Sequence, residues 1–252
     1  ALSLGDARPL LHVERSFFGV NSVLVDPGSQ LHLLVHGDTV HGVQSFDPSR
    51  RCEPLSYYDR SGPIGRLFAA LERMEARKRV AVVGLGAGCL VAYSRPGEEW
   101  TLYEIDPSVE RIARDPRLFT YLCDCAPEAR VILGDARLSL ARAPAGAYDL
   151  LFLDAYSSDA IPVHLITREA LALYLAKLSP HGILVLNISN RYLDLKPVVG
   201  DLARAAGLTA LGCDELKISE EDRARGKTPS QWVLMARSPD DLGPLKEDPQ
   251  WQ

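Results

Sequence analysis

The stretch Arg79–Asp106, RVAVVGLGAGCLVAYSRPGEEWTLYEID, constrains the fold of this chain more than any other. An apolar, β-branched run from Val80 to Val83 ends in the turn Gly84-Leu85-Gly86-Ala87-Gly88. A segment with helical character, Cys89 to Ser94, follows, and then a second strand-like run, Trp100 to Ile105, with Glu104 near its end. Strand, glycine turn, helix, strand and acid make a nucleoside-binding βαβ unit. Glycines let backbone approach a ligand, and the following helix presents free N–H groups to it. An acid about 20 residues past the first glycine can accept both ribose hydroxyls, a role open to Glu104. A G-x-G-x-x-G dinucleotide fingerprint would require glycine at Cys89. The G-x-G-x-G form fits S-adenosylmethionine or a relative better, because no pyrophosphate has to be cradled.

The flanking sequence predicts two parts. Residues 1–62 read as a small β-domain: His12–Arg15 with Phe17–Val20 as a short strand pair, then Asn21–Val25 and Leu31–Val35 around the turn Asp26-Pro27-Gly28-Ser29. From Ile64 the apolar period becomes helical, with Ile64, Leu67, Phe68, Leu71 and Met74 on one face. Asp106-Pro107 is an N-cap and first-turn pair. Strands are expected at Arg130–Leu133, Tyr148–Leu153, Gly182–Ile188, Leu208–Cys213 and Gln231–Ala236, and helices at Leu165–Leu178 and Pro197–Ala206. Alternating strands and helices over 63–240 imply a parallel sheet covered on both faces, with ligands at the carboxyl ends of the strands. Gly84, Glu104, Asp135 and Asp154 all fall at such ends. The remainder, 241–252, reads as a polar, loosely held tail.

Asp135, in Gly134-Asp135-Ala136, is placed to accept from an adenine amino group or to cap the next helix. Asp154 closes the apolar strand Leu150–Leu153, where a partly desolvated acid can orient and deprotonate an amine. The polar loop after it carries Tyr156, Ser157, Ser158, Asp159 and His164. Tyr57 and Tyr58 lie at the joint between the two parts, where tyrosines commonly serve packing. The histidines show no zinc spacing, and only His164 is expected near the site. The five cysteines contain no C-x-x-C pair and read as free thiols in a reducing cytosol. A net charge of −5 argues against a nucleic-acid surface, and no apolar run is long enough to span a bilayer. No signal peptide is evident, so the expected location is cytoplasmic.

The motifs Glu53–Asp59, Val80–Gly88, Tyr103–Asp106, Gly134–Ala136, Asp154–Pro162 and Pro229–Ala236 together resemble the spermidine synthase (polyamine aminopropyltransferase) family. They are most similar to a bacterial branch some of whose members are fused to membrane transporter segments. The resemblance implies a Rossmann-like, seven-stranded methyltransferase-type α/β fold with its last strand antiparallel, preceded by a small N-terminal β-domain. It implies a transferase that moves an aminopropyl group from decarboxylated S-adenosylmethionine to a small-molecule amine, releasing methylthioadenosine without a metal, and a homodimer. Glu104 would then hold the ribose, and Asp135 with Ala136 the adenine. Gly84, Gly86 and Gly88 would approach the nucleoside, with Gln44 as a further contact. Asp154 would be the catalytic acid and Tyr57 the tyrosine beside the attacking amine, with Tyr58 and Asp159 on the substrate side.

Three positions depart from the family pattern. Ala87 stands where spermidine synthases carry an acid inside the glycine turn, Ser157 replaces the second acid of a D-x-x-D motif, and Thr228 replaces a tyrosine. The loss of acid at Ala87 leaves open a methyltransferase using S-adenosylmethionine itself, with S-adenosylhomocysteine as product. A nucleoside-binding module with little catalysis is the remaining alternative.

Overall fold

The computed structural model describes residues 8–37, 39–74, 78–155, 162–190 and 193–252. The N-terminal part is an antiparallel meander of four strands: β1 (Leu10–Ser16), β2 (Gly19–Asp26), β3 (Leu31–His36) and β4 (Thr39–Ser45). Asp26–Gln30 supplies the second turn, where Asp26-Pro27-Gly28-Ser29 predicts one, and Asp26 Oδ1 accepts the Ser29 N–H at 3.2 Å. Phe17-Phe18, expected within a strand, instead form the first turn, with β2 starting only at Gly19.

Helix α1 (Pro63–Met74) then leads into the larger part. Its strands are β5 (Arg79–Val83), β6 (Glu99–Glu104), β7 (Arg130–Leu133), β8 (Tyr148–Leu153), β9 (Leu178–Asn187), β10 (Thr209–Glu215) and β11 (Ser230–Ala236). They form one seven-stranded sheet in the order β10-β11-β9-β8-β5-β6-β7. β11 runs antiparallel to both neighbours, and the β9-β8-β5-β6-β7 run is parallel. The connecting helices are α2 (Pro107–Arg114), α3 (Ala136–Arg142), α4 (Arg168–Lys177), α5 (Lys196–Ala205) and α6 (Glu220–Ala224). This is the expected Rossmann-like, methyltransferase-type α/β architecture behind an N-terminal β-sheet.

The central strands are apolar almost throughout because both faces are covered. Val80, Val82, Leu150, Phe152 and Val185 face α1 and Trp232, whereas Ala81, Val83, Leu151, Leu153 and Leu184 face Leu140, Leu171 and Val199. The switch point lies between β5 and β8, since the chain winds outward from β5 through β6 to β7 and then returns to β8 on the other side.

The small sheet is fastened to the large one by buried polar ties. Asp106 caps α2 through Ser108 N–H at 2.8 Å, and its other oxygen accepts Ser16 Oγ at 2.6 Å and Asn21 Nδ2 at 3.1 Å. Burial alone would raise the Asp106 carboxyl, but these hydrogen bonds outweigh it and hold the group below its ordinary value. Tyr121 donates to the carbonyls of Val43 (3.0 Å) and Glu53 (2.7 Å). Val23, Leu34, Ala87, Ile112, Leu118 and Phe119 form an apolar cluster between the two sheets.

Two expectations need correction. Cys52 and Cys125 are joined by a disulfide across 73 residues, so the cysteines are not all free; Cys89, Cys123 and Cys213 remain thiols. The pair is remote in sequence and becomes adjacent only because the linker after β4 lies against the π-helical turn Tyr121–Cys125. Disulfides persist in oxidising surroundings, so cysteine usage no longer argues for a reducing compartment. The tail is not loose either. Leu242, Leu245 and Trp251 are buried, and Gln252 exchanges two backbone hydrogen bonds with Gly212, at 2.6 and 2.9 Å. The segment Cys89–Tyr93, expected to have helical character, is a 3-10 helix. Among the described residues no helix is long and apolar enough to cross a membrane.

Candidate active site

The four strand ends singled out by sequence lie side by side along the carboxyl edge, in the order Asp154 (β8), Gly84 (β5), Glu104 (β6) and Asp135 (β7). Three inter-strand steps of about 4.8 Å separate the first from the last, about 14 Å in all. One pocket runs along this edge and is roofed by residues of the small sheet.

Gly84 makes the approach at the switch point. Its φ is +101°, and a Cβ there would lie 2.2 Å from the carbonyl oxygen of Asp154. Any side chain would push β5 and β8 apart at the pocket floor. Gly86 also borders the pocket, but Gly88 faces Tyr121 and Leu122 instead.

Glu104 is buried beside this turn. Its Oε2 accepts the Leu85 N–H at 3.0 Å and its Oε1 the Asp106 N–H at 2.8 Å. Burial pushes its carboxyl above the ordinary range, and the backbone N–H groups pull it partly back. The carboxylate is therefore fixed in position, with lone pairs left for hydroxyl donors. At the far end Asp135 caps α3 through the Leu138 N–H at 3.0 Å, while its second oxygen is 3.9 Å from His164 Nε2. Ala136 borders the same end.

The opposite end is built on Asp154, to whose Oδ2 Tyr58 donates its hydroxyl hydrogen. Asn187, at the end of β9, donates from Nδ2 to Oδ1 at 2.7 Å. Burial pushes the Asp154 carboxyl up, against the opposing pull of Tyr58, Asn187 and Tyr57. Both tyrosines titrate well above their ordinary value, first through burial and then through the adjacent Asp154 charge. The rings of Tyr57 and Tyr58 lie 4.5 Å apart, each about 6 Å from Trp232 (6.1 and 6.0 Å). Cys89 nearby exchanges hydrogen bonds with the Leu55 backbone, and burial raises its thiol to about 12, too high for a nucleophile.

The tyrosine pair is held from behind. Ser56 adopts φ +60°, donates its N–H to Gly226 O at 2.9 Å and shares a 2.9 Å hydroxyl contact with Thr228. Buried Lys227 pairs with Glu215 at 2.8 Å and donates to Ser61 Oγ at 2.9 Å. The β10–β11 connection thus clamps the loop that presents Tyr57 and Tyr58.

Not every predicted residue meets the pocket. Gln44 is used between the sheets: its Nε2 donates to Arg51 O (2.8 Å) and Thr120 Oγ1 (3.0 Å), and its Oε1 accepts the Thr120 N–H (2.7 Å). Asp159 and its neighbours Tyr156, Ser157 and Ser158 lie outside the described residues. Ala87 is buried and faces Gly42 of β4, where a Cβ would fall 2.3 Å from the Ala87 Cβ. Conversely, His36 and His41 border the pocket beside His164, and Asn187 contacts Asp154; sequence reading singled out none of these three. Asn187 carried one usable signal, its place at the end of the strand adjacent to β8. Among the described residues no group of acids, histidines and cysteines could hold a metal.

No family model matches the chain. A polyamine aminopropyltransferase of Vibrio vulnificus is 37% identical over 115 residues, which are 44% of this chain and 37% of that protein. The matched chain thus spans little more than a third of that curated relative. A probable spermidine synthase from Corynebacterium glutamicum has a similar structure, with TM-score 0.67 and 17% identity over 90% of this chain and 80% of its own. The Thermotoga maritima spermidine synthase gives TM-score 0.65 and 15% identity over 96% and 78%. A spermidine synthase in complex with the transition state analogue AdoDATO gives 0.66 and 14% over 96% and 79%. These similarities establish the fold as spermidine synthase-like and support the resemblance drawn from the motifs.

Proposed function

We propose that this protein is a spermidine synthase-like transferase that moves an aminopropyl group from decarboxylated S-adenosylmethionine to an amine acceptor. The observation that carries this reading is one carboxylate, Asp154, held by Tyr58 and Asn187 at one end of a pocket. Glu104 and Asp135 stand along the same strand edge, at the ends of the adjacent strands β6 and β7, and both line that pocket.

In this reading Glu104 accepts the ribose hydroxyls, and Asp135 with Ala136 meets the adenine edge. Gly84 and Gly86 bring backbone against the sulfonium end. The donor supplies a carbon made electrophilic by the adjacent sulfonium, and methylthioadenosine is the leaving group. Tyr57 and Tyr58 orient the amine lone pair toward that carbon, and Asp154 takes the ammonium proton. The AdoDATO complex of a structurally similar spermidine synthase supports a donor of this class.

Methyl transfer from S-adenosylmethionine is the second reading, since the glycine turn Gly84–Gly88 carries no acid to grip an aminopropyl ammonium or repel a methionine carboxylate. Product analysis separates the two. Incubation with putrescine or spermidine and either donor is expected to release methylthioadenosine from the decarboxylated form. S-adenosylhomocysteine would indicate methyl transfer, and tight nucleoside binding without either product a binding module.

A further inference from the structure

We propose that Asn187 is the positioning residue of the acceptor end, the fixed donor that holds the Asp154 carboxylate in plane and keeps it able to ionise. The inference rests on the reading of Asp154 as the proton-accepting group. Asn187 is the last residue of β9, and the parallel pair Leu153–Leu186 brings its strand end beside that of Asp154. Its Nδ2 donates to Asp154 Oδ1 at 2.7 Å, while its own Oδ1 accepts the Ser189 N–H at 2.9 Å. The second bond sets the amide's orientation, because a flipped amide would turn its oxygen on Asp154 and its NH₂ on the Ser189 N–H. Ser189 is fixed in turn by Gln231, whose N–H donates to Ser189 Oγ at 2.9 Å.

Among the described residues the other side-chain donors to Asp154 are the hydroxyls of Tyr57 and Tyr58. A tyrosine hydroxyl can rotate, or accept from an arriving amine, without moving its ring. The amide of Asn187 can do neither while both its bonds persist. The tyrosines are therefore the adaptable side of the acid and Asn187 the invariant side. Among the described residues, the ionisable groups facing Asp154 are Tyr57 and Tyr58 from the linker and Cys89 from the segment after the glycine turn. All three are neutral when Asp154 titrates, and β9 and β11 contribute uncharged Asn187 and Trp232. No cation within this set supports the carboxylate, so loss of one charge-assisted hydrogen bond has a direct effect on its titration.

The test is the titration of the Asp154 carboxyl carbon in the intact chain by ¹³C NMR, assigned by its disappearance in Asp154→Asn. Asn187→Leu removes the donor at similar volume, and Asn187→Asp replaces it with a group that repels the anion. Both are expected to raise the Asp154 midpoint by about one pH unit or more. An unchanged midpoint in either folded variant overturns the proposal. Unfolding of both variants overturns it equally, since Asn187 would then be a structural group. Turnover followed in parallel should fall through kcat with KM for the nucleoside donor retained. If the unmodified protein turns over neither donor, the functional reading fails while the carboxyl titration still decides the role of Asn187.

Discussion

Tyr58 donates its hydroxyl hydrogen to the carboxylate of Asp154, 96 residues further along the chain. One partner sits in the linker between the two sheets, and the other ends the central strand β8. The linker that carries Tyr58 is anchored to the larger part through Ser56, Gly226 and Thr228, so the bond fixes the acceptor end of the pocket against the large sheet. Tyr93 supports it by donating to the Tyr58 carbonyl at 2.6 Å.

Tyr58→Phe keeps the ring against Trp232 and deletes the donor. Turnover should fall about 100-fold, the lower range for loss of a proton-transfer partner, with nucleoside affinity within about twofold. Initial rates and calorimetry with methylthioadenosine measure the two. Equal loss of both would make Tyr58 a packing residue.

Glu104→Ala acts at the other function. Charge-assisted hydrogen bonds contribute about 1.5–3 kcal/mol, so methylthioadenosine should bind about 10- to 100-fold more weakly. Asp154→Asn should abolish turnover and spare that affinity. Unchanged affinity in Glu104→Ala would refute its ribose role.

Gly42→Ala places a methyl group 2.3 Å from the Ala87 Cβ, inside the cluster that joins the sheets. Overpacking of this kind costs about 1–3 kcal/mol, read as a lower urea midpoint. An acid introduced at position 87 would enter the same apolar cluster, so Ala87→Asp should destabilise more than Gly42→Ala and not restore a donor grip. Greater stability in either variant would contradict this packing.

The pH dependence of stability should carry the mark of Asp149. Its carboxylate accepts Arg79 Nη2 at 2.8 Å and the Lys78 and Arg79 N–H groups, both at 3.1 Å. Burial would raise it, but these bonds prevail and its carboxyl lies below the ordinary value. A depressed acid contributes stability that is present above its unfolded value, about 3.9, and lost as pH falls through the folded one. Asp149→Asn should therefore be about 1 kcal/mol less stable at pH 7, and the gap should close below about pH 4. Denaturant titrations at both pH values check it, and a gap that persists in acid would contradict it.

The strand ends were legible in the sequence because each signal is local. Val80–Val83 and Leu150–Leu153 are apolar runs buried on both faces, and Gly84, Glu104, Asp135 and Asp154 follow such runs directly. What the sequence hid depends on long-range docking. Gln44 reads as a polar strand residue, and only the closeness of Thr120 shows that its amide is consumed between the sheets. Cys52 and Cys125 carry no spacing signal across 73 residues. His36 and His41 reach the pocket because the β3–β4 hairpin folds over the glycine turn. The tail looked polar because its composition masks three apolar anchors, Leu242, Leu245 and Trp251, all buried in the cluster that α1 also joins.

The most direct measurement is a single-turnover reaction with enzyme in excess over decarboxylated S-adenosylmethionine and an amine acceptor, analysed by mass spectrometry. The account predicts methylthioadenosine and aminopropylated amine in equal amounts, both absent in Asp154→Asn. Methylthioadenosine without the alkylated amine, or neither product, would contradict it.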